Sequence, residues 1–172
     1  MSVRDILDVV GGAPGMFYYY FKSKQEIYIA TMEQYISERL ERKCEVIENP
    51  QIPFEEKLQV FRSMVAEDIH GYMERFDPKA DTSISDSSYK LWDLVHMLDR
   101  MVQPYAKLIQ QGIMEGRISN RLGIAQEDAE MYATFILYGC WGTVYNSKFT
   151  ENEKQYELKD VLEITDKIFH QS

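Results

Sequence analysis

The sequence predicts an all-α protein. Apolar residues recur at steps of three and four along most of the chain, and no segment alternates between apolar and polar residues as a half-buried strand would. Of the 172 residues, 45% are hydrophobic and 27% are charged, with only 9 glycines and 5 prolines. This composition is typical of one globular domain, or of one medium-sized domain with a small appendage, and it excludes a disordered or collagen-like chain.

The first predicted elements are two short helices joined by a glycine turn. Val3 to Val10 is predicted as a helix that ends at Gly11, because glycine adopts the left-handed backbone that closes many helices. Pro14 suits the first position of a following helix over residues 14–20. Two short helices in this arrangement form a helix-turn-helix, in which the second is the recognition helix.

Longer amphipathic helices follow, each predicted from the spacing of its apolar residues. The first is ended by the segment Asn49 to Pro53, and Pro53 also suits the start of the next helix. The polar segment from Asp77 to Ser88 is predicted as a loop, and Pro104 is predicted to open a helix of its own. The predicted spans are Lys24 to about Glu48, Phe54 to Tyr72, Leu91 to Leu98, Pro104 to Ile113, Gln126 to Tyr145 and Leu158 to Phe169.

The charge is distributed unevenly. The net charge is −9, which argues against a basic nucleic-acid-binding surface over the whole protein. Residues 1–43, however, hold six basic and six acidic side chains, so all of the net charge lies after Lys43. A neutral first segment on an acidic body is compatible with a small DNA-reading unit.

The sequence contains no predicted membrane segment. The most apolar stretch, Tyr132 to Tyr145, is shorter than the roughly 20 residues that a membrane helix needs. The first residues do not have the pattern of a signal peptide, so we expect a cytoplasmic protein with no membrane partner. Cys44 and Cys140 lie on different predicted helices and are expected to be thiols of the core.

No pattern indicates catalysis or a bound cofactor. His70, His96 and His170 are isolated in the sequence and no Cys/His cluster is present, so no metal site is expected. The glycines near residue 11 lack the Lys-Ser/Thr pair of a phosphate-binding loop. No Ser/His/Asp or Cys/His spacing is typical of a nucleophilic enzyme. We therefore expect neither an enzyme nor a cofactor.

The segment "SVRDILDVVGGAPGMFYYYFKSKQEIY" resembles the second half of the DNA-binding domain of TetR-family transcriptional regulators. The family pattern is a valine-led short helix, a glycine turn, a short helix ending in tyrosine and phenylalanine, and a lysine that opens a long helix. Eight positions fall in register with it: Val3, Ile6, Gly11, Gly15, Tyr18, Phe21, Lys24 and Ile27.

The resemblance implies which side chains contact DNA. Tyrosine carries a hydroxyl that reaches a phosphate while the ring packs on the protein, and lysine at a helix start approaches the phosphate backbone. The expected DNA-binding residues are Pro14, Gly15, Met16, Tyr18, Tyr19, Lys22 and Lys24.

The segment also departs from the family pattern. Ala13 stands where the family usually has Ser or Thr, so the side-chain cap of the recognition helix is absent. Met16 stands where a small or polar residue is commoner. In the family a full amphipathic helix precedes the position of Val3 and covers the two short helices. We therefore expect an incomplete helix-turn-helix, which binds operator DNA tightly only if that first helix is supplied.

The resemblance further implies two domains. Residues 1–45 are expected to form the partial DNA-binding domain with the linking helix, and residues 46–172 a helical-bundle domain for ligand binding and dimerisation. Bulky and polarisable side chains on the central helices are typical of pockets for apolar ligands, although each of them also suits a plain core. The expected ligand-binding residues are Trp92, His96, Met97, Met101, Tyr105, Phe135, Tyr138, Trp141 and Tyr145.

The expected effector is a small, largely apolar molecule that is neutral or cationic, because Lys and Arg are scarce among these positions. His96 is the expected polar contact. Stripes on the last two helices are expected to pair with a second copy in a homodimer. Their residues are Ala129, Ala133, Ile136, Cys140, Val161, Thr165 and Ile168.

Together these features predict a ligand-responsive transcriptional regulator of TetR type, acting as a repressor. Ligand binding in the second domain would control the spacing of the paired recognition helices. The alternative is a TetR-derived sensing or interaction protein that has lost DNA binding, which the acidic charge and Ala13 favour. An unrelated all-α enzyme is a more distant third.

Overall fold

The computed structural model describes residues 19–76, 87–118, 123, 125–149 and 155–169. Five α-helices occupy most of this part of the chain, and no strand occurs in it. The all-α class is therefore confirmed. The helices are α1 (Lys24–Glu48), α2 (Phe54–Arg75), α3 (Ser87–Met114), α4 (Ala129–Phe149) and α5 (Leu158–Phe169), with a 3₁₀ turn at Gln126–Asp128 before α4. The predicted helix-turn-helix lies outside the described residues as far as residue 18.

Helix α1 begins at a reciprocal cap. Ser23 Oγ accepts a hydrogen bond from the backbone N–H of Glu26 at 3.2 Å. The Glu26 carboxylate in turn accepts from the backbone N–H of Lys22 at 2.7 Å. The sequence Ser-x-x-Glu thus satisfies backbone donors at the helix start in the manner of a capping box. The predicted bounds of this helix, Lys24 to Glu48, are confirmed.

The prediction that Pro104 opens a separate helix is wrong. Pro104 lies inside α3, which runs unbroken from Ser87 to Met114. A proline inside a helix removes one backbone hydrogen bond and usually bends or breaks the helix. Here the neighbouring side chains, including Met101 and Tyr105, are buried in the core, and their burial offsets the lost bond. The predicted loop also ends earlier than expected, because Ser87 and Ser88 belong to α3.

The chain turns sharply after α3. Gly116 adopts φ of 66°, a left-handed conformation that glycine tolerates. The carbonyl of Gly112 accepts hydrogen bonds from the N–H groups of Arg117 at 2.8 Å and Ile118 at 3.0 Å. A Cβ atom on Gly112 would lie 2.6 Å from both Ile118 and Phe54. The turn therefore folds back closely against the start of α2.

Helices α3 and α4 form the centre of the bundle. Helices α1 and α2 pack against α3, and α5 packs against α4. The core is rich in aromatic rings: Phe61 stacks on Tyr105 with centroids 5.1 Å apart. Trp141 meets Tyr72 edge to face, with centroids 5.4 Å apart. These rings join α2, α3 and α4 beneath the part of the bundle where α5 lies.

Candidate functional site

A small, partly open pocket of about 40 Å³ lies between four of the helices. Its walls are mostly aliphatic and aromatic, which is typical of a site for an apolar molecule. The lining comes from α2 (Phe61, Arg62, Val65, Ile69), α3 (Tyr105), α4 (Ile136, Leu137, Cys140, Trp141) and α5 (Leu158, Val161, Leu162, Thr165). We call this pocket the effector cavity, because it is the candidate site for the effector expected from the sequence.

Few polar groups line the effector cavity. The Trp141 side chain is fully buried, and its indole N–H has no acceptor among the described residues. Burial raises the pKa of Cys140 to about 11, so its thiol stays protonated at neutral pH. Thr165 donates its hydroxyl hydrogen to carbonyls of its own helix at 2.9 Å. Among the described lining residues, Arg62 alone carries a charge.

An aromatic cluster lies between the start of α1 and the start of α3. The rings of Trp92 and His96 stack with centroids 4.7 Å apart. The Tyr28 ring meets the edge of Tyr89 at 4.7 Å and lies 6.4 Å from Trp92. All four side chains are half-buried, so the cluster forms part of the surface where the two helices meet.

A buried ion pair joins this cluster to the end of α2. Asp93 is 0% exposed, and one of its oxygens accepts from the Arg75 guanidinium at 2.9 Å. Burial raises the pKa of Asp93, and the nearby Arg75 offsets part of this rise. The second Asp93 oxygen and the Tyr28 hydroxyl have no hydrogen-bond partner among the described residues. Burial, followed by the charge of Asp93, raises the pKa of Tyr28.

Charged side chains also fix α1 onto α2. Asp68 of α2 is 1% exposed and accepts from Lys43 of α1, itself 2% exposed, at 2.6 Å. The other Asp68 oxygen pairs with Arg39, one helical turn before Lys43. Asp68 therefore holds two successive turns of α1. Such a pair contributes little net stability, but breaking it leaves a buried charge without a partner.

A second set of polar contacts fixes α1 onto α3. The Glu33 carboxylate lies 2.5 Å from both His96 and Arg100. Near the other end of α1, Lys107 of α3 lies 2.6 Å from Glu48. Helix α1 is thus connected by charge to both α2 and α3 along most of its length.

No family model matches the sequence, and no curated protein is significantly similar to it. The structure is similar to that of a transcriptional regulator of the TetR/AcrR family from Thermobifida fusca YX-ER1, with a TM-score of 0.51. The similarity covers 99% of this chain and 86% of the regulator, at 19% sequence identity. The chain has a TetR-like fold. At this level of identity the similarity concerns the arrangement of helices, and it confirms the fold that the resemblance of residues 2–28 implies.

Within the TetR-like fold, the expected DNA-binding residues lie at and before the start of α1. Tyr19 and Lys22 are exposed, as is Tyr20, whose ring meets that of Tyr19 at 5.0 Å. Lys24 is the first residue of α1, and its side chain is not among those described. The remaining expected residues lie outside the described part of the chain: Pro14, Gly15, Met16 and Tyr18.

The nine expected ligand-binding residues do not lie together. Tyr105 and Trp141 line the effector cavity. Met97 and Met101 are buried beside Arg39 and Lys43, at a cleft of only about 10 Å³. The other five lie at further places: Trp92 and His96 in the aromatic cluster, Tyr145 half-buried against the core, and Phe135 and Tyr138 exposed on α4.

Most of the expected dimerisation residues face the core of their own chain. Ala129, Ala133, Ile136, Val161 and Thr165 are buried within the protomer. Cys140 is half-buried at the effector cavity, and the side chain of Ile168 is not described. The stripes recognised in the sequence are therefore the ones that pack the helices of one protomer together.

A different face of α4 is apolar and exposed. Met131, Phe135 and Tyr138 recur at steps of four and three, and their exposed fractions are 62%, 75% and 38%. Gly139 and Gly142 are also exposed there, with nothing within 4 Å of an added Cβ atom. A helix that is apolar all round is normally buried all round. We call Met131, Phe135 and Tyr138 the α4 outer face. The sequence itself indicates an apolar outer face on α4, because this helix has hardly any charged residues on any of its faces.

Two classes of site receive no support from the described residues. They contain no group of three or more His, Cys, Asp or Glu side chains that could hold a metal ion. No helix in the described part of the chain is both long and apolar enough to span a membrane.

Proposed function

We propose that this protein is a ligand-responsive transcriptional regulator, a repressor that acts in the cytoplasm as a homodimer. The observation that carries the proposal is the TetR-like fold across 99% of the chain, which a transcriptional regulator shares. In this proposal residues 1–45 read DNA and link to the body, while residues 46–172 bind the effector and dimerise. The effector cavity is the site of ligand binding.

The described contacts provide a path from the cavity to the reading segment. Ile69 of α2 lines the effector cavity, and its neighbour Asp68 holds Arg39 and Lys43 of α1. Helix α1 then runs without interruption to its capped start beside Tyr19 and Lys22. A ligand that favours one position of α2 therefore favours one position of α1. It acts only through its differential affinity for the two arrangements.

The α4 outer face supports a dimer with a second copy of this chain. An apolar helix face of this kind is unfavourable in water, and a two-fold interface lets the same patch on each copy cover the other. Pairing across a two-fold axis also suits DNA reading, because such dimers place two recognition helices about 34 Å apart, one turn of DNA. Helix α5 also carries a large exposed apolar side chain, Ile164, which is 57% exposed.

The proposal is tested by selecting DNA fragments that bind the protein and by titrating the best of them at fixed low salt. Weak specific binding is expected for residues 1–172 alone, and tighter binding once the family's first helix is joined ahead of them. In that tighter complex Lys22→Ala should weaken binding and lower the slope of log affinity against log salt by about 0.9, the contribution of one phosphate contact. Lys148→Ala serves as the matched control, since Lys148 is also an exposed lysine but lies in the last turn of α4. Absence of specific DNA binding, together with ligand binding in the body, would instead support a sensing or interaction protein without DNA binding.

A further inference from the structure

The junction of α1, α2 and α3 contains buried polar atoms that have no partners. Tyr28 of α1, Arg75 of α2 and Asp93 of α3 lie close together there. The Tyr28 hydroxyl, the Arg75 Nε–H and one Asp93 oxygen are buried, and none of them has a hydrogen-bond partner among the described residues. Buried polar groups are nearly always hydrogen-bonded in native proteins, so each exception needs an explanation. Three exceptions at one place indicate that this junction is not fully closed in the arrangement observed.

Two of these unsatisfied groups complement each other. The phenol of Tyr28 can donate one hydrogen, and an ionised carboxylate such as that of Asp93 only accepts. Arg75 donates to one Asp93 oxygen at 2.9 Å, and the unsatisfied oxygen is the other one. Burial, followed by the charge of Asp93, raises the pKa of Tyr28, so the hydroxyl keeps its hydrogen at neutral pH. Tyr28 is therefore a donor that lies near the acceptor it lacks.

The acceptor is held more firmly than the donor. Asp93 is 0% exposed, and its partner Arg75 is itself placed over the Tyr35 ring, 5.2 Å from its centroid. Tyr28 is half-buried, one turn after the start of α1, and its ring contacts Trp92 edge to face at 6.4 Å. A small shift of the first turns of α1 towards α3 would bring the Tyr28 hydroxyl to Asp93. Such a shift leaves the bond from Arg75 intact, because Arg75 uses the other oxygen.

We propose that Tyr28 and Asp93 form a latch between α1 and α3 that has two positions. In the arrangement described the two groups are apart, and in the second arrangement Tyr28 donates to Asp93 and the start of α1 lies closer to α3. Closing the latch satisfies two buried groups, whereas opening it releases the first turns of α1, so these effects oppose each other. The latch acts on the start of α1, while Asp68 holds Arg39 and Lys43 further along the helix.

This inference rests on the proposed function for its regulatory meaning. The start of α1 follows directly on Lys22 and Tyr19, which are expected to contact DNA, so the position of the latch would set the position of these side chains. A molecule that binds one position of α1 more tightly would shift the populations of the two arrangements. The latch itself requires neither DNA nor a ligand.

NMR relaxation dispersion on the full chain without DNA tests the latch. The sequence contains only two tryptophans, Trp92 and Trp141, so their indole N–H signals are readily assigned. Trp92 adjoins Asp93 in sequence and contacts Tyr28, whereas Trp141 lies in the core against Tyr72. Exchange on the microsecond-to-millisecond timescale is expected at Trp92 and not at Trp141. Absence of exchange at Trp92 would overturn the proposal.

Tyr28→Phe removes the donor and keeps the ring. A hydrogen bond to a charged group in a protein changes an equilibrium by at least about tenfold, so the contribution of exchange to relaxation at Trp92 should fall to about a tenth. Tyr156→Phe is the matched control, because it makes the same change at an exposed tyrosine outside the junction, and it should leave the exchange unaltered. Exchange at Trp92 that persists in Tyr28→Phe would overturn the assignment to this hydroxyl.

Urea denaturation of the same variants gives an independent result. Because the Tyr28 hydroxyl has no partner in the arrangement described, Tyr28→Phe should leave the unfolding equilibrium constant unchanged or shift it towards the folded state. A tenfold shift towards the unfolded state, or a Tyr28→Phe protein that does not fold, would mean that the hydroxyl is already bonded, for example to a fixed water molecule. Either result would overturn the proposal.

The outcomes separate the latch from the proposed function. Exchange at Trp92 that depends on Tyr28, with the same DNA affinity in Tyr28→Phe as in the wild type, would support the latch and contradict its regulatory role. Specific DNA binding by a protein that shows no exchange at Trp92 would support the proposed function and contradict the latch.

Discussion

Replacing Phe135 with alanine should weaken dimerisation strongly without changing the fold of the protomer. Phe135 is 75% exposed on the α4 outer face and does not belong to the core of its own chain. The change to alanine keeps a good helix former at this position, so helix α4 should be preserved. What is lost is the apolar area that a partner would cover.

The size of the effect follows from that area. A large aromatic side chain buries roughly 200 Å² when fully covered. The exposed 75% of Phe135 therefore offers about 150 Å² to a partner. At about 25 cal/mol per Å² this area corresponds to about 4 kcal/mol. Association itself costs free energy, which offsets part of this hydrophobic gain. We therefore count half of the gain, about 2 kcal/mol, for each copy of Phe135. Because a two-fold interface contains the residue twice, the loss is about 4 kcal/mol, roughly a thousandfold in Kd.

Sedimentation equilibrium over a dilution series measures this change directly. Leu91→Ala is the matched control, since Leu91 is another large apolar residue, 61% exposed, and lies on α3 rather than on α4. Circular dichroism of each variant checks that helix content is unchanged. A Phe135→Ala protein that dimerises like the wild type, or a Leu91→Ala protein that loses dimerisation, would refute the assignment of the interface to α4. Ala133→Glu is unsuitable for this test, because Ala133 is 0% exposed and the glutamate would disrupt the protomer itself.

Three further outcomes are expected. Asp68→Ala leaves Lys43 buried without its partner, so urea denaturation should show a loss of about 3–5 kcal/mol in the free energy of unfolding. Gly116→Ala places a Cβ atom at φ of 66°, and thermal denaturation should show a loss of about 1–2 kcal/mol; an unchanged melting temperature would mean that the turn relaxes. Because the pKa of Cys140 is raised to about 11, little of its thiol is ionised at pH 8. Alkylation of Cys140 by iodoacetamide in the folded protein should therefore be slow at pH 8 and faster as the pH approaches 11. Peptide mass spectrometry measures the alkylated fraction. Rapid alkylation of Cys140 at pH 8 would contradict its burial beside the cavity.

Most of the helical framework was predictable from local sequence. The bounds of α1 followed from apolar spacing and from the stop at Asn49, and the start of α2 followed from Pro53. The cap formed by Ser23 and Glu26 corresponds to a Ser-x-x-Glu pattern that is present in the sequence itself. The prediction that Pro104 opens a helix was wrong because the burial of neighbouring side chains outweighs the backbone hydrogen bond that proline removes. That burial depends on helices far away in sequence.

The candidate site was less predictable, for a physical reason that α4 illustrates. Residue type marked both Phe135 and Trp141 as suited to a ligand pocket, but only Trp141 lines the effector cavity. When a helix is apolar on every side, its own sequence does not state which side faces the core. That choice is made by the packing of α3 and α5 on α4, which the amphipathic patterns of single helices do not specify.

The arrangement of charges on α1 determines how the proposed signal can travel. Arg39 and Lys43 lie one turn apart and share the two oxygens of Asp68, so a small slide of α1 along α2 would separate buried charges from their partner. Intermediate positions are therefore unfavourable, so the proposed signal would move α1 between discrete arrangements rather than continuously. A ligand beside Ile69 does not need to push α1 through a continuous movement. It needs only to stabilise one of these arrangements more than another. Because α1 is one long, capped helix, the change in its position would extend to its start beside Lys22 and Tyr19.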